Sequence, residues 1–205
     1  MTHDPEFKSA GDPFNSAGPS TEEPGAPGPV QLPTTPLVPM PKLWIGYVLA
    51  FVTFVGEIIA VSRHPEVFGA KEIKFDIPPL EIFLPAFVTR VYWFVCIYRY
   101  HKILAGVPGY THPISAGKAV GFHFIPFFNV FWIFHWPAAI AEFVNARLRA
   151  PVMRGWALGI GILGAFLCQI FLDAGFGAAL LFLVTSNLAG FLKRSLSVPE
   201  QAPQI

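Results

Sequence analysis

Charge is scarce in this chain. Of 205 residues only 13% are Asp, Glu, Lys or Arg, with 14 basic against 13 acidic side chains. A soluble domain carries about 25% charged residues, so roughly half the usual supply is present for coating a surface in water. The net charge of +1 also lacks the clustered positive potential of a nucleic-acid binder, and no such partner is expected. Cysteine is nearly missing. Cys96 and Cys168 stand alone in apolar stretches, without C-x-x-C spacing, and read as inert buried thiols that do not pair. Residues 1–30 show no basic stretch leading into an apolar one, so no cleavable signal peptide is expected. Thr2 stands where N-myristoylation needs glycine, and no cysteine is placed at the C-terminus for prenylation.

What is abundant is apolar bulk. Hydrophobic residues make up 53% of the chain, with 21 Phe and 5 Trp, and the mean hydropathy is +0.52. That is more than one core of this size hides, and the chain reads as an all-α integral membrane protein. Residues 1–42 are different: they hold ten of the 21 prolines among Gly, Ser, Thr and acidic residues. Such a segment cannot bury enough apolar area to offset its ordering entropy, so it is expected to be an extended, disordered-type tail. The expected division is this tail, a helical bundle over 43–192, and a short C-terminal tail over 193–205.

Residues 43–61 hold one charge, Glu57, in 19 residues; at 1.5 Å per residue they cross about 28 Å, enough to span a bilayer. Residues 82–98, with Arg90 as the single charge, predict a second span that Arg99, His101 and Lys102 stop. Residues 155–172 and 175–192 predict two further spans joined by a tight turn at Asp173-Ala174. Between them lies the aromatic stretch 119–136, apolar enough for lipid but interrupted by Pro126 and Asn129. Pro137 is well placed to open a new interfacial helix over 138–149. If 119–136 dips in and returns, giving four spans, Lys8, Lys42, Arg99, Lys102, Lys118, Arg147, Arg149, Arg154, Lys193 and Arg194 share one side. Only Arg63, Lys71 and Lys74 lie on the other. A full fifth span makes the split eight against five. The positive-inside rule favours four spans with both termini cytoplasmic, and five spans remain the alternative.

Glu57 and Arg90 are the charges well inside spans one and two. An intramembrane ionisable residue is a functional candidate by default, and an antiparallel hairpin would let these two pair across it. The plain reading is an ion pair that locks two helices; a proton or ion path would want more polar groups than Gln169, Asp173 and Asn187 supply. His123 and His135 invite a haem or (bacterio)chlorophyll reading, because neutral imidazole is a standard axial ligand. Twelve residues put them about 18 Å apart on one helix, so they cannot clamp one haem together, and no cofactor is predicted. Gly159, Gly161 and Gly164 spell G-x-G-x-x-G without a preceding strand, so the dinucleotide reading fails. Gly155 and Gly159 instead form a G-x-x-x-G face for close helix packing. No serine or cysteine has a neighbouring His/acid pattern, no cluster has metal spacing, and an enzyme is not expected.

The stretch Ile114 to Asn129 (ISAGKAVGFHFIPFFN), which continues to Trp132, Trp136 and Asn145, resembles a group of small bacterial multipass membrane proteins that carry a G-x-x-F-I-P-F-x-N-x-x-W segment between their second and later spans. The resemblance covers about residues 80–192. It implies a bacterial inner-membrane protein, and it brings no catalytic residue or ligand with it. Physically, Pro126 removes a backbone donor and kinks the chain, and the Asn129 side chain is placed to satisfy the carbonyls so freed. Two functions are carried forward. One is a non-catalytic accessory subunit of a larger membrane complex (respiratory, photosynthetic or transport-related), in contact with lipids and other subunits and tied in by its tail. The other is a small transporter or channel using Glu57, Arg90 and the broken segment.

Overall fold

A computed structural model describes residues 39–63, 65, 79–107 and 114–198. Among them every regular element is a helix: α1 (Leu43–Arg63), α2 (Leu80–Ala105), α3 (Ala116–Gly121) running into a 3-10 turn (Phe122–Phe124), α4 (Phe128–Leu148), α5 (Gly155–Phe171) and α6 (Ala174–Ser197). Three of these, α1, α2 and α6, are long and apolar enough to cross a membrane; α5 is apolar but shorter. Residues 1–38 of the expected tail and 199–205 of the C-terminal one fall outside the described residues, as do the centres of both expected loops; residues 193–197, expected in the C-terminal tail, continue α6.

Small residues make the contacts. On α1, Gly46, Ala50, Thr53, Gly56 and Ala60 recur at helical spacing and are buried, while Trp44, Phe51 and Ile58 point outward. This is the reverse of a water-soluble helix, and it is the pattern expected where lipid surrounds the bundle and backbones must approach closely. α1 packs on α2 and α6, and α5 packs on α4 and α6. Where α1 meets α2, Gly56 faces the Glu81 carbonyl so closely that a Cβ there would overlap it. Pro85 stands four residues after Glu81 inside α2 and has no N–H to give that carbonyl, whose oxygen here faces a glycine rather than a side chain. Thr53 and Thr89 complete the seam, with hydroxyl oxygens 3.2 Å apart.

α2 is longer than the apolar run that announces it. Arg99, His101 and Lys102 end the lipid-compatible stretch but not the helix, which continues to Ala105. The aromatic segment differs more. The break lies at residues 125–127, not at Pro137. Ile125 takes an extended conformation (φ −88°, ψ 115°), as the residue before a proline prefers, and Phe127 follows with φ 60°. α4 then runs unbroken through Pro137, which is buried inside it. The expected separate helix over 138–149 is therefore the second half of α4.

Candidate functional site

The aromatic segment forms a helical hairpin against the middle of α2. Ser115 caps α3 by accepting from the Lys118 N–H at 3.4 Å. The Ala119 carbonyl is the hinge point: it accepts from Trp132 Nε1 of α4 at 2.8 Å and lies 3.0 Å from His123 Nδ1. At the tip, His123 packs edge-on against Trp93 at 5.3 Å between ring centroids, and Phe124 lies 5.0 Å from Phe94. Trp93 and Phe94 stand halfway along α2, so the tip reaches half the depth of the bundle. The tip is apolar and open to the surroundings, with Phe124 68% and Phe127 93% exposed. Farther up, Trp132 and Trp136 flank His101 at 6.4 and 6.1 Å. Trp93, Tyr100, Trp132 and Trp136 are all fully buried, and they fill the space between α2 and α4.

Glu57 and Arg90 do not pair. The Glu57 carboxylate caps the first turn of α6: the Ala174 N–H donates to Oε1 at 2.6 Å and the Gly175 N–H to Oε2 at 3.1 Å. Gly175 lies so close to the Phe54 backbone that a Cβ would overlap it, which presses the start of α6 onto α1 one turn before Glu57. Asp173 is the N-cap and accepts from Phe176, so two carboxylates serve one positive helix end. Arg90 turns the other way. Its Nη2 donates to Gln169 Oε1, and its guanidinium carbon lies 4.2 Å from the centroid of Phe166 on α5. The reason is register: Gly56 meets Glu81, and Arg90 is nine residues farther along α2, about 13 Å of helix away.

The remaining expected site residues separate in the same way. His123 is buried among Trp93, Phe94 and Trp136; His135 is exposed on α4 and stacks on Phe131 at 5.2 Å. They do not face one site. At the break the Ile125 carbonyl accepts from the Asn129 backbone N–H at 3.0 Å; the Asn129 Oδ1, itself an acceptor, is buried and accepts no hydrogen bond from the described residues. Gly155 and Gly159 do form a close helix face, against Ala138 and Phe134 of α4. Cys96 and Cys168 are buried and free. Among the described residues no group of three or more His, Cys, Asp and Glu could hold a metal ion.

Two features escaped the sequence reading. Asn145 clamps the loop between α4 and α5 with both ends of its amide, Nδ2 donating to the Met153 carbonyl at 2.7 Å and Oδ1 accepting from the Met153 N–H at 2.9 Å. Arg147 caps the far end of α6, donating to the Ser195 and Val198 carbonyls at 2.9 and 3.2 Å. Polar residues past the last apolar run, followed by a loop that must turn back, were the available signal. The clamps stand at one end of the bundle. Among the described residues that end carries Lys42, Arg99, Lys102, Lys118, Arg147, Arg149, Arg154, Lys193 and Arg194 against one acid, Glu142, and the opposite end carries Arg63, Glu81 and Asp173. In comparisons with protein-family models, curated proteins and solved structures, nothing matches the chain.

Proposed function

We propose that the chain is a four-span protein of the bacterial inner membrane that serves as a non-catalytic accessory subunit of a larger membrane complex. In this reading α1, α2, α5 and α6 span, the α3–α4 hairpin enters from the cytoplasmic side and returns, and both termini are cytoplasmic. The cationic end of the bundle supports that orientation. α5 has 17 residues, about 26 Å, the lower limit for a span, and it runs antiparallel along α6. The observation that carries the accessory role is that the intramembrane charges are occupied in joining helices: Glu57 holds α1 to α6, and Arg90 holds α2 to α5. The space that a substrate path would use between α2 and α4 is filled by tryptophan.

Two measurements test this. Single cysteines at Ser62, Ala150 and Ser197, on a background lacking Cys96 and Cys168, should react with an impermeant maleimide in intact cells only at Ser62. Reaction at Ala150 and Ser197 would establish five spans. For the complex, deleting residues 2–38 should leave insertion intact, because the spans satisfy their own backbone bonds, and should lower recovery of the protein in its assembly on blue-native gels. A full-length chain that runs only as a monomer or homodimer would overturn the accessory role. One observation favours the transporter as a second reading: Arg90, deep in the bundle, forms no salt bridge with a carboxylate of the described residues, and a charge without a counter-charge at that depth is costly. Flux through liposomes that falls with Arg90→Gln would support it.

A further inference from the structure

The cationic end also holds a groove beside the Asn145 clamp, with Met153 in its lining. Where α5 begins beside the C-terminal half of α6 there is a cavity of about 240 Å³, with Arg154 and Asn187 on its polar rim and Leu158, Val184 and Phe191 among its apolar walls. A second cavity of about 160 Å³ shares Asn187 and Phe191 with it and adds Ser186 and Arg194. The two adjoin along these shared residues as a groove whose guanidiniums, Arg154 on one part and Arg194 on the other, both belong to the cationic end of the bundle. Both arginines are exposed, and neither forms a salt bridge with a described residue. Arg194 lies over the Phe191 ring, 5.9 Å from its centroid. The Asn145 clamp on Met153 fixes the loop from which Arg154 projects.

We propose that this groove is a specific site for an anionic phospholipid. The phosphate sits between Arg154 and Arg194 with Ser186 and Asn187 beside it, and an acyl chain runs along Leu158 and Val184 between α5 and α6. Three observations point to this occupant. The groove is polar at its cationic end and apolar toward the middle of the bundle, the same gradient as a lipid molecule. Its charge complements an anionic headgroup, as basic pockets between membrane helices on the cytoplasmic side do. Its depth also fits: Trp156, two residues after Arg154, is exposed, and exposed Trp44 and Tyr47 stand at the matching end of α1, with Tyr47 Oη 3.0 Å from Ser186 Oγ of the groove. Such an aromatic belt marks the level of the headgroups. The inference rests on the chain lying in a membrane, and it is independent of the accessory role.

The experiment uses the purified full-length chain in a neutral detergent. Dioleoylphosphatidylglycerol, dioleoylphosphatidylcholine and inorganic phosphate are titrated separately, with occupancy read by native mass spectrometry and stability by thermal unfolding. Phosphatidylglycerol should bind at one per chain and raise Tm; phosphatidylcholine and inorganic phosphate should not. Arg154→Gln with Arg194→Gln should weaken phosphatidylglycerol binding by about tenfold or more, with the lipid-free Tm unchanged because both side chains are exposed. Val184→Trp, which fills the apolar wall at constant charge, should weaken it as well. Arg149→Gln with Lys193→Gln removes two exposed cations of the same end that do not line the groove, and should leave binding intact. Equal losses in that control pair would reduce the site to diffuse attraction, and an equal response to inorganic phosphate would make it a plain anion site; either overturns the proposal. A chain that runs alone on blue-native gels yet binds phosphatidylglycerol would remove the accessory role and leave the lipid site standing.

Discussion

Glu57→Ala should destabilise the bundle by about 3 kcal/mol, because hydrogen bonds to a charged group contribute about 1.5–3 kcal/mol each and this carboxylate accepts two, from the Ala174 and Gly175 N–H groups. The substitution leaves both donors without their carboxylate at a half-buried helix end pressed against the Phe54 backbone. Glu57→Gln should cost less, since one carbonyl oxygen remains to accept. The informative arm is the cycle with Arg90→Leu. Arg90 is held by Gln169 and the Phe166 ring and shares no partner with Glu57. The two losses in thermal or denaturant unfolding in detergent should therefore add within about 0.5 kcal/mol, as for independent sites. A double mutant markedly more stable than the sum would restore the Glu57–Arg90 ion pair that the sequence suggests.

That ion pair is where sequence reasoning failed most instructively. Two opposite charges on neighbouring antiparallel helices are natural partners on a helical ladder, because side-chain charge is visible in a sequence. Backbone N–H groups are present at nearly every residue, and nothing in the letters says which helix terminus will stand beside a given carboxylate. Only the close packing of Gly175 on α1 decides that. The α2 boundary shows a related limit. Composition marks where the lipid-compatible run ends, at Arg99, but a helix continues past the interface wherever its backbone bonds remain favourable. For the aromatic segment the deciding signal was present in Ile125-Pro126, whose steric restriction falls on the residue before the proline. Pro137 carried the same signal and did not break the helix. Its buried position within α4, opposite the start of α5, favours continuity there. The all-helical architecture was legible because long apolar runs have few other solutions, and the packing role of Gly155 and Gly159 was legible because G-x-x-x-G removes side chains from one helix face.

That glycine face supports the sharpest contrast available in this protein, within one helix and with one kind of substitution. A Cβ added to Gly155 would fall under 3.0 Å from three atoms of Ala138, the backbone N and Cα among them. Backbone cannot rotate out of the way as the end of a side chain can, so Gly155→Ala must part α4 from α5. Overpacking of this kind costs about 1–3 kcal/mol, and the separation also loosens the loop that Asn145 holds, because Gly155 is where that loop enters α5. Gly164 lies nine residues on, in the same helix, with nothing within 4 Å of the position a Cβ would take. There alanine adds no clash and removes glycine's excess freedom in the unfolded chain, worth about 0.4–1 kcal/mol. Gly164→Ala should therefore raise the unfolding midpoint, and Gly155→Ala should lower it by more than that gain. If both substitutions shift stability in the same direction, α4 and α5 do not meet backbone to backbone at Ala138, and the antiparallel register between the hairpin and the last two helices is wrong.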